Sequence, residues 1–364
     1  MNRFALGLGC AAPALAAALA SVAALCSAAE APPAESPAPA QAQPPAAWWL
    51  AKPDQTEPKI LEWAARFAGT VSLVTAKTRG GHTAYAVTVT DPSLPDAGKK
   101  RLVFSQPHAH EPAATAGMMD FLAQLLEGRR LDGRDTDLAR RRILAAAVLT
   151  FIPDGNPDGR SRSPEAWWDG RRHANEQFLE VAFGRGQDGK RFPRQGRWSS
   201  KEQQPERLGI VYEQISDHEY VEPNRDPDST FFRLVRGALE KGPCGLHVDL
   251  HQTEFEKSDR NAMVVLPFMQ KELPEKIQDA NRLAAEAIGR AWQAAGARPT
   301  PEARPLGYGE DQIRYFRKCW GDIYRTVPHV TVEIQNNSLA TPPAEQMRLM
   351  DLAIRASIDF ALRD

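Results

Sequence analysis

The sequence predicts an α/β fold, with a mixed parallel and antiparallel sheet flanked by helices. Segments with apolar residues at helical spacing alternate with short apolar runs from one end to the other. The short runs are bounded by Gly, Pro, Asp and Asn, which end strands and make turns. Three of the runs also carry side chains with lone pairs: His108-Ala109-His110-Glu111, Asp249-Leu250-His251 and Thr331-Val332-Glu333-Ile334. Each set is expected just past its strand, where an α/β sheet gathers its ligands.

The elements follow in order. Arg3, an alanine-rich apolar stretch from Phe4 to Leu25, and the small residues Ser27, Ala28 and Ala29 read as a secretory signal peptide, residues 1–29. Residues 30–47 are nearly all Ala, Pro, Gln and Glu, a linker with nothing to build a core from. Residues 48–364 are then one catalytic domain, long enough for a sizeable core. It would be periplasmic or secreted, with no stable membrane insertion once the signal is removed.

A helix is expected over 58–68, with Ile60, Leu61, Trp63, Ala64 and Phe67 on its apolar side. Strands are expected over 83–90 and 100–105, and a helix runs from Pro112 to near Gly128. The apolar stretch 142–152 reads as a buried strand, and Asp154-Gly-Asn-Pro-Asp-Gly159 as a run of turns. Residues 184–205 are rich in Gly, Arg, Gln and Ser and read as a surface insertion. Helices follow over 231–241 and 274–295, and strands over 245–250, 262–266 and 329–334. The last helix begins near Thr341-Pro342, with Thr as N-cap and Pro at the first helical position.

The formal net charge of −1 argues against a nucleic-acid surface. Removal of the signal leaves Cys244 and Cys319, which form either one disulfide in an oxidising compartment or two buried thiols.

Two imidazoles and a carboxylate suit a catalytic zinc, since they leave a fourth position open. His108 and Glu111 are three residues apart, so both side chains close on one ion across a tight turn; His110 is a competing ligand. With His251 they form the expected metal triad for one zinc per chain, and Glu333 is left as a base.

In this order the chain resembles the zinc carboxypeptidase family, the metallocarboxypeptidases related to pancreatic carboxypeptidase A. The resemblance rests on His108/Glu111, Asn156-Pro-Asp-Gly159, Arg171-Arg172, Asn224-Arg225, His251 and Glu333, and covers residues 57–364. It implies a carboxypeptidase-like sheet and zinc held by His108, Glu111 and His251. It implies Glu333 as general base, and Arg171 or Arg172 as the cation that stabilises the oxyanion. Asn224 and Arg225 would grip the terminal carboxylate of a peptide substrate, where a guanidinium gives two parallel charged hydrogen bonds. The family's mobile tyrosine corresponds to Tyr308 or Tyr315, with Tyr315 favoured. The segment Cys319–Tyr324 would line the pocket for the last side chain, where Asp322 would select a basic residue or Ile323 an apolar one.

The activity so implied is hydrolysis of the C-terminal bond of a peptide, or of a peptidoglycan stem peptide. The rivals are a zinc deacylase acting on N-acyl amino acids and a non-catalytic peptide-binding module on the same scaffold. The Asn-Pro-Asp-Gly run and the length beyond His251 favour the peptidase.

Overall fold

The computed structural model describes residues 47–255 and 258–363. The expected signal peptide and, Ala47 apart, the linker lie outside them. Helix α1 (Pro53–Arg66) leads into strands β1 (Val71–Lys77), β2 (Thr83–Val89) and β3 (Lys100–Ser105), then α2 (Pro112–Glu127) and α3 (Arg140–Ala146). Next come β4 (Ala147–Ile152), α4 (Pro157–Arg162) and α5 (Asn175–Phe183). Short strands β5 (Gly184–Arg185), β6 (Arg197–Ser199), β7 (Arg207–Leu208), β8 (Glu213–Gln214) and β9 (Glu219–Val221) precede a 3-10 turn at Pro223–Arg225. The chain closes with α6 (Thr230–Leu239), β10 (Leu246–Thr253), β11 (Ala262–Val265), α7 (Glu275–Ala294), α8 (Glu310–Thr326), β12 (His329–Gln335) and α9 (Pro343–Ala361).

The main sheet has the order β1-β2-β4-β3-β10-β12-β11. Its centre, β4-β3-β10-β12, is parallel, and both flanks are antiparallel. The expected mixed sheet with flanking helices is therefore the observed one.

Alternation along β10 and β12 divides the sheet into two chemically different faces. Leu246, Val248, Leu250, Val330, Val332 and Ile334 point into the larger core, which α1, α2, α7 and α9 complete. The intervening residues His247, Asp249 and His251, paired with His329, Thr331 and Glu333, make a double polar row on the opposite face. On that face Trp320 and Tyr324 of α8 lie against His247 and His329, with Phe231 and Phe232 of α6 beside them. Such burial of polar groups is tolerated only where each finds a partner.

Three expectations are corrected and one open alternative is decided. Residues 142–152 are not one strand: Arg-Arg-Ile-Leu-Ala-Ala, good helix formers, complete α3, and extended chain begins at the β-branched residues of Ala147–Ile152. The last helix starts at Pro343, and Thr341 gives its hydroxyl to Gln335 instead of capping. Residues 184–205 are not a loose surface insertion. Phe192 and Trp198 join Phe183, Val211 and Tyr212 in a small core of their own, with Trp198 stacked on Tyr220 at 4.5 Å. Cys244 and Cys319 are both free thiols, pushed up to about 12 by burial. Strand β1 and the helix α8 are additions that the sequence reading omitted.

Candidate metal centre

His108 and Glu111 lie in the tight turn between β3 and α2. His108 carbonyl accepts the amide of Glu111 at 3.1 Å, which brings both side chains to the same side. A buried guanidinium fixes that turn from behind: Arg160 Nη2 donates to the same carbonyl at 3.1 Å. Burial lowers the pKa of Arg160 to about 10, opposed by Asp154 and Glu111, so it is charged at neutral pH. His251 and Glu333 sit within β10 and β12, not beyond them, because both strands continue two residues further. They are direct neighbours in the parallel ladder.

Three ligand atoms converge. His108 Nδ1 is 2.9 Å from Glu111 Oε1, His251 Nδ1 is 3.0 Å from Glu111 Oε2, and the two Nδ1 atoms are 3.1 Å apart. Ligands of a tetrahedral zinc lie about 3.3 Å from one another, so the triangle is nearly the size that ion requires. The far nitrogens settle the tautomers. His108 Nε2 faces Glu222 Oε1 at 3.1 Å and Asn224 Oδ1 at 3.2 Å, and His251 Nε2 faces Asp249 Oδ2 at 2.9 Å. With protons at both Nε2 positions, the two Nδ1 atoms and the Glu111 carboxylate are aimed at one point, where a positive charge, a proton on His251 or a metal ion in its place, holds them together. Burial opposes a charge on His251, yet Asp249 and Glu111 hold its pKa well above the ordinary value. The residues fit zinc.

His110 is the neighbour of this triad. With His108 and Glu111 it forms a buried group of ligand-type side chains, its Nε2 3.3 Å from Glu111 Oε1. Its ring lies among Phe178 and Phe183, and burial lowers its pKa to about 3.

The triad lies on the wall of a cavity of about 560 Å³ that Glu333, Asn224 and Arg225 also line. Glu333 Oε2 is out of solvent and has no hydrogen-bond partner, although the residue as a whole is only partly covered. Burial raises its pKa to about 8, with Glu111 adding and His251 opposing. Asn224 is anchored by Trp320 Nε1, which donates to its carbonyl at 2.8 Å. Arg225 lies over the Phe316 ring at 5.1 Å, and its Nε has no partner. Fully buried Glu222 takes ion pairs from both Arg194 and Arg225, and those cations hold it well below the usual carboxylate range despite burial.

Three expected site residues are elsewhere. Arg171 and Arg172 are at the surface, tied to Asp169 at 3.7 Å and Glu165 at 2.9 Å, and reach no part of the cavity. Helix α4 and residues 163–170 separate them from the Asn-Pro-Asp-Gly turn, and both side chains pair with carboxylates of that stretch instead of turning to the cavity. The cations that line the cavity beside Arg225 are Arg191 and Arg194, from the segment read as an insertion. Tyr315 packs across Gly196, where an added Cβ would lie 2.7 Å from its ring, and does not line the cavity. Tyr308 does line it; burial, with the Glu333 charge, raises its pKa to about 12.

The segment Cys319–Tyr324 is helical, so only Trp320 and Tyr324 reach the cavity; Asp322 is exposed and Ile323 joins the core under α8. Sequence reasoning also passed over Arg160, Glu222 and Asp249. Of these, Asp249 had a signal, since an acid two residues before a strand histidine shares its face.

The sequence profile described as zinc carboxypeptidase, Peptidase_M14, matches residues 59–254. No curated protein sequence matches the chain. Solved structures with similar folds include a metallo-carboxypeptidase from Burkholderia cenocepacia, 15% identical, with a TM-score of 0.53 over 84% of this chain and 68% of that one. Carboxypeptidase A from Helicoverpa armigera is 14% identical, with a TM-score of 0.52 over 87% and 75%. A Pseudomonas aeruginosa metallo-carboxypeptidase solved with (2-guanidinoethylmercapto)succinic acid is 17% identical, with a TM-score of 0.51 over 84% and 69%. With more than half of its length matched by the profile and the carboxypeptidase architecture in place, this chain belongs to the zinc carboxypeptidase family.

Proposed function

We propose that the chain is an exported zinc carboxypeptidase that removes an apolar residue from the free C-terminus of a peptide. The observation that carries this is one cavity lined by the His108/Glu111/His251 triad, the unpaired Glu333 and the Asn224-Arg225 pair. Zinc bound to the triad would supply a Lewis acid that polarises a water and the scissile carbonyl. Glu333 accepts the proton of the attacking water at Oε2 and passes it to the leaving amine. Arg194 donates to the carbonyl oxygen as it becomes negative. Asn224 and Arg225 receive the substrate's carboxylate. Arg194, Arg225 and Glu222 together carry one net positive charge, which that carboxylate neutralises.

The preference for an apolar residue rests on the wall formed by Met263, Val265, Leu266, Phe268, Leu306 and Phe316. Among the described residues the lining carboxylates are Glu111, Asp249, Glu254 and Glu333; Glu111 and Asp249 belong to the triad and its partner, and Glu333 pairs with His251 in the sheet. A basic terminal side chain would lie against apolar groups on that wall. Export rests on the residues 1–29, and no helix among the described residues is long and apolar enough to cross a membrane.

Peptides ending in Phe, Leu, Lys or Glu, incubated with the zinc-loaded protein and followed by mass spectrometry, test this reading. Stem peptides and N-acyl amino acids belong in the same panel. Single-residue loss from the Phe and Leu peptides, at least about tenfold faster than from Lys, is expected for one lost ion pair. Hydrolysis of only the N-acyl amino acids would replace the peptidase with a deacylase.

A further inference from the structure

Behind the metal triad lies a chain of buried polar groups that the proposed mechanism does not use. Thr331 Oγ1 is 3.2 Å from His329 Nε2; His329 Nδ1 is 3.0 Å from His247 Nδ1; His247 Nε2 is 2.8 Å from Ser105 Oγ. Ser105 Oγ donates to Asp249 Oδ1 at 2.6 Å, and Asp249 Oδ2 faces His251 Nε2 at 2.9 Å. The groups come from three adjacent parallel strands, β3, β10 and β12, and follow the polar row of the sheet. Ser105, His247, Asp249 and His329 are all 3% exposed or less.

One proton assignment satisfies every one of these contacts. A carboxylate only accepts, so the Ser105 hydroxyl points to Asp249 and its oxygen must accept from His247 Nε2–H. His247 Nδ1 is then a lone pair and must accept from His329 Nδ1–H. His329 Nε2 is left as an acceptor, and the Thr331 hydroxyl donates to it. Both rings are neutral, which agrees with burial lowering the pKa of His247 to about 4 and of His329 well below its ordinary value. Every arrow runs toward Asp249, from a threonine on the cavity wall to the partner of a metal ligand.

We infer that Ser105, His247, His329 and Thr331 are positioning residues for the metal centre: they lock Asp249 in the one orientation that presents His251 Nδ1 to the ion. The inference rests on the reading of the triad as a zinc site. A carboxylate held on one oxygen by Ser105 cannot turn away from His251, and the proton on His251 Nε2 is kept before and after metal arrives. Trp320, stacked on His247 at 5.5 Å, and Tyr324, tilted against His329 at 4.7 Å, keep water out of the chain and so keep its direction.

The test is zinc affinity of the purified chain, measured by competition with a fluorescent zinc chelator, beside the melting temperature of the metal-free protein. Ser105→Ala should weaken zinc binding about tenfold, the lower end of what loss of an outer-shell partner costs. Ser105→Thr keeps the hydroxyl and should stay within about threefold of the wild type. Equal zinc affinity for wild type and Ser105→Ala overturns the inference and leaves the metal site standing, as does an equal loss in Ser105→Thr. Absence of zinc binding by the wild type overturns both. If Ser105→Ala does not fold, imidazole ¹⁵N spectra of the zinc-loaded wild type decide. His247 must be protonated at Nε2 and His329 at Nδ1, and the opposite tautomers refute the chain.

Discussion

At the scale of single residues, the proposed mechanism separates groups that hold metal from groups that move protons. His108→Ala and His251→Ala should lose bound zinc and peptide hydrolysis together, by metal analysis and by rate. Full zinc occupancy in His108→Ala would pass the ligand role to His110, whose Nε2 is 3.3 Å from Glu111. Arg194→Ala should cut kcat by about 10²–10³ with zinc retained, the loss seen when an oxyanion donor is removed. Arg171→Ala and Arg172→Ala should stay near wild type, since both side chains are spent on surface carboxylates. A large loss in either surface variant, with Arg194→Ala unaffected, would restore the sequence-based expectation. The residues adjacent to strands, His108, Glu111, His251 and Glu333, were legible because a strand imposes position on whatever it carries. Arg194 was not, and Tyr308 was only the less favoured of two tyrosines, because both reach the cavity on long connections whose path depends on tertiary packing.

At the scale of elements, the Asn156–Gly159 turn shows why a motif recognised from sequence is structural here. Asn156 caps α4 by accepting from Gly159, and its amide donates to Val211 at 2.8 Å, stitching β4 to the segment that carries the cavity wall. Asp158 accepts from Gly80 at 2.8 Å and faces His82 at 2.9 Å, tying down the β1–β2 hairpin. An added Cβ at Gly159 would lie 2.0 Å from the carbonyl oxygen of Ile210, which backbone cannot yield cheaply. Gly159→Ala should cost at least about 3 kcal/mol by denaturant unfolding, whereas Gly237→Ala, on an open face of α6, should be neutral or slightly stabilising. Equal melting temperatures for Gly159→Ala and wild type would refute the close approach.

The same segment holds a titrating group. Burial raises Glu213 to about 7, although it accepts the amide and hydroxyl of Thr230 at the start of α6. A carboxyl whose folded value is raised binds more protons folded than unfolded between its ordinary 4.5 and about 7, so its contribution falls as pH rises through that window. The melting temperature of Glu213→Gln relative to wild type should therefore climb from pH 4.5 to pH 7; a constant difference would show that Glu213 does not titrate there. The strands β2, β3, β10, β11 and β12 and the helices α1, α2, α6, α7 and α9 were legible because their apolar patterning is strong. Residues 184–205 were misread because short strands around Phe192 and Trp198 leave no periodic trace and form only against Phe183 and Tyr212.

At the scale of the whole molecule, one face of the sheet supplies an apolar core and the other a polar row that leads to the metal triad. Strand order explains the convergence: β3, β10 and β12 are neighbours, so residues far apart in sequence arrive within about 3 Å of one another. The order of strands could not be read from the sequence, whereas the alternation that sorts the two faces could. On the proposed reading the Asn224-Arg225 pair gives this cavity its direction, accepting a chain end and not a chain interior. The central claim is tested most directly by kcat/KM of the zinc-loaded protein on one peptide, ending in Phe, as the free acid and as the amide. The amide leaves Arg225 without its anion, a penalty of about 2–5 kcal/mol, so the free acid should be cleaved at least about 30-fold faster. Arg225→Ala should erase that preference by slowing the free acid alone. Equal rates on both peptides in the wild type would contradict the account.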